Sequence, residues 1–195
     1  MKTKISYLIE KEIEAIKKIP TNGEYYKALE LIKKANKLVV TGMGKAGHIG
    51  INIATTFSST GTPSVFLHPA ESQHGDLGMI QEGDVIIAIS NSGKTKEVVE
   101  LIHLADALIK DIPIIAITGN TTSELAQLAD VILHTGGAPE ICPLGLTPTT
   151  STTCMTIIGD MLVVSMMEDI KFTKEEYAKR HHSGYLGRKA RGESN

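Results

Sequence analysis

The chain contains no tryptophan, and aromatic residues make up 4% of its 195 positions. So few rings exclude a surface on which bases could stack. It has two cysteines, Cys142 and Cys154, and no CxxC pair. That excludes a zinc ribbon or a disulfide framework and fits a reducing cytoplasm. Excess charge of either sign is missing too. Lysine and arginine number 20 against 22 aspartates and glutamates, a net charge of -2. No basic field therefore calls for nucleic acid. The longest apolar run, Met155 to Met167, holds Asp160 and is too short to span a bilayer, so it reads as a buried core helix. Lys2, Lys4, Glu10, Lys11 and Glu12 leave no room for the apolar segment of a signal peptide. A soluble, single-domain protein is the expectation, with no membrane and no nucleic-acid partner.

What is present is an alternation of two periods. Ile5, Leu8, Ile9, Ile13, Ile16 and Ile19 recur at helical spacing until Pro20 and Asn22-Gly23. A second helix follows with Tyr25, Ala28, Leu29 and Ile32 on one face. From Lys37 the pattern changes. Short β-branched runs end at Val40, Leu67, Ile89, Ile117 and Leu133, and helical stretches separate them. Residues 69–83 read as loop, and the chain from Lys171 reads as a polar tail. Continuous apolar strands alternating with helices predict a parallel sheet covered on both faces. The expected fold is a three-layer α/β/α sandwich on a five-stranded, flavodoxin-like sheet. Residues 1–36 would form N-terminal helices, 37–170 the α/β core and 171–195 the tail.

Two polar turns carry the chemistry. Gly42-Met43-Gly44-Lys45-Ala46-Gly47 follows the first strand, and Ser90-Asn91-Ser92-Gly93-Lys94-Thr95-Lys96-Glu97 follows the third. In a parallel sheet both open on the ligand-binding edge. The first matches a dinucleotide fingerprint but lacks the acidic residue that would bind the ribose, since Phe66, Leu67 and His68 stand there. The second resembles the end of a Walker A loop, but Ala88 replaces its first glycine. Lys45 suits a phosphate or a sugar oxygen. Ser90, Ser92 and Thr95, with the N–H groups of a helix start, suit a phosphate. His68, Glu71 and His74 match no helical metal-ligand spacing. Pro139 and Pro143 flank Glu140 and would hold its carboxylate in one place. Hydroxyls crowd positions 147–153, where some cap a helix and others could line an anion pocket.

Taken together these segments resemble the SIS (sugar isomerase) domain family, in its D-arabinose-5-phosphate isomerase branch. The resemblance rests on TGMGKAGHIG (41–50), FSSTGTP (57–63), HGDLGM (74–79), IAISNSG (87–93), CPLGLTPTTSTT (142–153) and LGRK (186–189). It implies one SIS domain over the whole chain and an isomerase that interconverts D-ribulose 5-phosphate and D-arabinose 5-phosphate. The product would feed Kdo synthesis for lipopolysaccharide or capsule. By resemblance the catalytic residues are Lys45, Glu97, Glu140 and His181. The substrate-binding residues are Gly44, Ser90, Ser92, Gly93, Thr95 and His74. No cofactor and no metal is required, although a divalent ion held by His74 and His181 would inhibit. Relatives are tetramers in which the histidine reaches a neighbouring site, so the tail is expected to contribute to catalysis. The family's His-Pro-Gly-Gly reads His181-His182-Ser183-Gly184 here. Many relatives continue into paired CBS domains, whereas this chain stops at Asn195. Feedback is therefore expected at the active site itself, from an activated Kdo nucleotide. Two other functions share these loops: isomerisation of another sugar phosphate, and non-catalytic sensing of one.

Overall fold

The computed structural model describes residues 2–193. Two helices, α1 (Lys2–Ile16) and α2 (Glu24–Lys34), precede five strands: β1 (Leu38–Gly42), β2 (Ser64–Phe66), β3 (Val85–Ile89), β4 (Ile114–Thr118) and β5 (Val131–His134). Helices α3 (Gly44–Ser59), α4 (Lys96–Leu108) and α5 (Glu124–Leu128) lie between strands, and α6 (Thr150–Asp169) follows them. All strand pairs are parallel, in the order β2-β1-β3-β4-β5. That is the flavodoxin-like arrangement expected from the sequence.

The strands form because β1, β3 and β4 are mostly apolar, with Thr41 and Thr118 near the ends of β1 and β4, and are buried along their whole length. Alternate residues serve the two outer layers. Val40, Ile87, Ile89, Ile115 and Ile117 join the core beneath α2, α3 and α6. Val39, Ile86, Ala88, Ile114 and Ala116 join the core beneath α4 and α5. By length and composition α6 could cross a membrane. Here it packs against α1, α2 and α3 with Asp160 on its exposed side, as the core helix its apolar run foretold.

One sequence expectation needs correction, and two gain detail. The segment 69–83 is not plain loop; it contains 3-10 turns at Glu71–His74 and Asp76–Met79. Both are too short to show a periodicity. The polar tail forms α7 (Lys174–Arg180) and α8 (Gly184–Ala190). The signal for α7 was Thr173 followed by Glu176, whose backbone N–H donates to the Thr173 hydroxyl at 3.2 Å. And α1 buries only part of its apolar face. Ala15 is buried, whereas Ile5, Ile9 and Ile13 remain exposed.

Candidate active site

The direction of the crossovers reverses between β1 and β3, and a crevice opens where their carboxyl ends diverge. Both polar turns meet there. The first is tight because Gly47 lies against β1: a Cβ on it would come 2.7 Å from the Gly42 carbonyl oxygen. This approach starts α3 directly at the sheet edge and places Lys45 in its first turn, exposed. Among the described residues no carboxylate comes within 4.0 Å of its ammonium group.

The second turn is held from within. Ser90 is 2% exposed, its hydroxyl shares a 2.7 Å hydrogen bond with that of Thr95, and it accepts from Gly93 N–H at 3.1 Å. Lys94 N–H donates to the Ser92 hydroxyl at 3.2 Å. Gly93 takes φ +62° and abuts Ser123. Ser90 and Asn91 are tied to β4 through Ile117 and Gly119. Thr95 is the N-cap of α4, yet its side chain makes no capping bond, because Ser90 engages it. The Lys96 and Glu97 N–H groups at the start of α4 therefore stay available to an anion, while that of Val98 turns to the Thr95 carbonyl.

Glu140 closes the crevice from the far side. It leaves β5 on an irregular segment and accepts three hydrogen bonds, all on Oε2. They come from Thr149 N–H at 2.7 Å, Thr149 Oγ1 at 3.0 Å and Ser151 N–H at 3.2 Å. The carboxylate thus caps α6 from outside the helix. Burial pushes its pKa up, but the Ser151 hydroxyl and the Thr149 and Ser151 N–H groups outweigh it and hold the pKa below its ordinary 4.5. The rim curls because Cys142 Sγ accepts from Leu146 and Thr147 N–H at 3.2 and 3.1 Å. The result is a cleft of about 350 Å³ in which Lys45, Ser90, Ser92, Thr95 and Glu140 converge.

Not every expected residue joins them. Gly44, at φ +59°, opens α3 next to Lys45. Glu97 is half-buried in the first turn of α4 but does not line the cleft. His74 ends the first 3-10 turn, exposed. His181 follows α7 with its ring stacked on Tyr177 at 3.8 Å. Tyr177 meets the edge of Phe172, which packs on Gly61 at the opposite, amino-terminal edge of the sheet. Within one chain His181 is therefore remote from Lys45. Among the described residues no group of three or more histidines, cysteines and carboxylates could hold a metal. Asn91, Met43 and Met155 line the cleft without having been expected there, and Thr152 joins them from the hydroxyls crowding 147–153. The first two stood inside the glycine and serine loops already singled out.

The profile of the SIS domain matches residues 31–165, a span that contains the whole cleft. The chain belongs to the SIS domain family. Among SIS proteins it is 52% identical over 153 residues to the arabinose 5-phosphate isomerase KdsD of Escherichia coli K12, covering 78% of this chain and 46% of that protein. The chain thus spans about half the length of such relatives. A crystal structure from Bacteroides fragilis, of a protein provisionally named a phosphosugar isomerase involved in capsule formation, is 58% identical. Its TM-score is 0.91, over 94% of this chain and 98% of that one. The Escherichia coli CFT073 protein c3406, solved in complex with arabinose 5-phosphate, is 33% identical, with TM-score 0.85 over 92% and 98% of the two chains.

Proposed function

We propose that this SIS-domain chain is an isomerase that interconverts D-arabinose 5-phosphate and D-ribulose 5-phosphate through an enediolate. One observation carries it. A phosphate cradle, a lysine and an ionised glutamate share one cleft, in a chain about half identical to arabinose 5-phosphate isomerases. The phosphate sits against Ser90, Ser92, Gly93 and Thr95 and the start of α4. Glu140 takes the C2 proton of the aldose, and the proton returns at C1. Lys45 stabilises the charge that develops on the sugar oxygen meanwhile. Only protons move, so the reaction asks for no cofactor.

Glu97 orients or relays from the first turn of α4, and His74 contacts substrate from the loop after β2. His181 serves the site of a neighbouring copy in a homotetramer, which its distance from its own cleft favours. The exposed stripe Ile5, Ile9 and Ile13 gives such an assembly apolar surface to bury. The whole chain acts as one SIS domain in the cytoplasm, where the free thiols Cys142 and Cys154 stay reduced. The product serves Kdo synthesis for lipopolysaccharide or capsule. An activated Kdo nucleotide competes at the cleft, and titration calorimetry with it gives no heat if this last point is wrong. A divalent ion bridging His74 and His181 across subunits inhibits, and zinc titration of the His74→Ala variant tests it. The activity itself is tested by turnover of arabinose 5-phosphate beside ribose 5-phosphate and sedoheptulose 7-phosphate.

A further inference from the structure

Glu12 belongs to α1, outside both ligand loops. Its Oε1 accepts a hydrogen bond from Thr150 Oγ1 at 2.8 Å. The same hydroxyl oxygen accepts from Ile141 N–H at 3.1 Å. A threonine hydroxyl has a single proton. Donating it to Glu12 turns the oxygen's lone pairs to the Ile141 amide. Otherwise a threonine in a first helical turn is free to bond its own backbone. Thr150 is 1% exposed and opens α6. Its neighbours Thr149 and Ser151 hold the Glu140 carboxylate, so three consecutive residues grip the 140–141 segment by side chain and backbone.

Glu12 occupies an expensive position. Its Oε2 is buried and has no hydrogen-bond partner. A glutamate on an amphipathic helix ordinarily turns to water, and a bare buried carboxylate oxygen is destabilising. The Cys154 thiol, in the second turn of α6, is pushed up by burial and further by the charges of Glu12 and Glu140. Two carboxylates thus flank one helix start, where the dipole and free N–H groups favour negative charge.

We propose that Glu12 is a positioning residue of the isomerase site: through Thr150 it fixes the segment that carries Glu140. The kinetic part of this rests on the isomerase reading above. The test uses the full chain with Glu12→Ala, Glu12→Gln and Thr150→Val, measuring kcat, KM and hydrogen exchange over residues 139–151. Misplacing a catalytic group by about an ångström costs up to about a hundredfold, so Glu12→Ala lowers kcat at least about tenfold. KM for arabinose 5-phosphate moves less than about twofold, because the phosphate cradle lies on a separate loop. Exchange over 139–151 quickens. Glu12→Gln keeps an oxygen that accepts from Thr150 and recovers kcat to within about threefold of wild type. The double variant Glu12→Ala, Thr150→Val is no slower than the worse single one, as for two groups on one link. Unchanged exchange in Glu12→Ala, a KM that rises as kcat falls, or a glutamine variant as slow as the alanine one overturns the proposal. If Glu12→Ala does not fold, Thr150→Val replaces it in each comparison. If the wild type turns over no sugar phosphate, the isomerase reading fails by itself. Exchange over 139–151 then decides the positioning claim, faster supporting it and unchanged overturning it.

Discussion

Glu140 is held by three donors on one oxygen at the edge of the cleft. Replacing it by glutamine preserves shape and removes basicity, so kcat is expected to fall at least about two decades. A near-wild-type rate would free Glu140 of that role. The same hydrogen bonds make a pH prediction. A carboxylate whose folded pKa lies below its ordinary 4.5 stabilises the fold above that value and loses the contribution as pH falls through the folded pKa. Wild type should therefore melt above Glu140→Gln at pH 7, and the gap should narrow as pH drops from about 5 toward 3. Thr41 offers the opposite case. It is fully buried at the end of β1, and its hydroxyl has no partner. Thr41→Val should melt at or above wild type, because it removes a bare buried hydroxyl and keeps the shape. At this scale the sequence made Lys45, Ser90, Thr95 and Glu140 legible, because polar residues at strand ends have few structural excuses. Glu12 was illegible: one acidic residue among Glu10, Lys11 and Glu14 on a helix reads as solvated surface.

The turn between β3 and α4 is where element geometry becomes binding. Gly93 sits at φ +62°, and a Cβ there would fall on the Ser123 side chain. Gly93→Ala should destabilise the protein by about 1–3 kcal/mol and raise KM more than it lowers kcat, since the cradle distorts while Glu140 stays in place. Thermal melts and steady-state kinetics check both halves. Ser123 accepts from Ala126 N–H as the N-cap of α5. The sheet was readable because each inner strand is one apolar β-branched run. Helices α7 and α8 were not. Each has seven residues, and of their side-chain positions only Gly187 is buried, so no apolar stripe announces them.

At the scale of the whole molecule the proposed site calls for a second copy of the chain. Lys45 and Glu140 line it, while His181 stacks on Tyr177 at the other end of the sheet. Sequence resemblance pointed to His181, whose ring bonds the Tyr177 carbonyl at 3.0 Å in its own chain. If a neighbouring copy supplies it, Lys45→Ala and His181→Ala should each be nearly inactive alone. Unfolding and refolding the two together should restore a measurable fraction of wild-type kcat, because some mixed sites then hold both intact side chains. No recovery would confine His181 to its own chain. Turnover is the most direct measurement of what the cleft does. Purified protein in EDTA, given arabinose 5-phosphate, ribose 5-phosphate and sedoheptulose 7-phosphate in parallel, should convert arabinose 5-phosphate selectively to ribulose 5-phosphate. Tight binding of a sugar phosphate with no conversion of any of the three would contradict it and leave the cleft as a sensor.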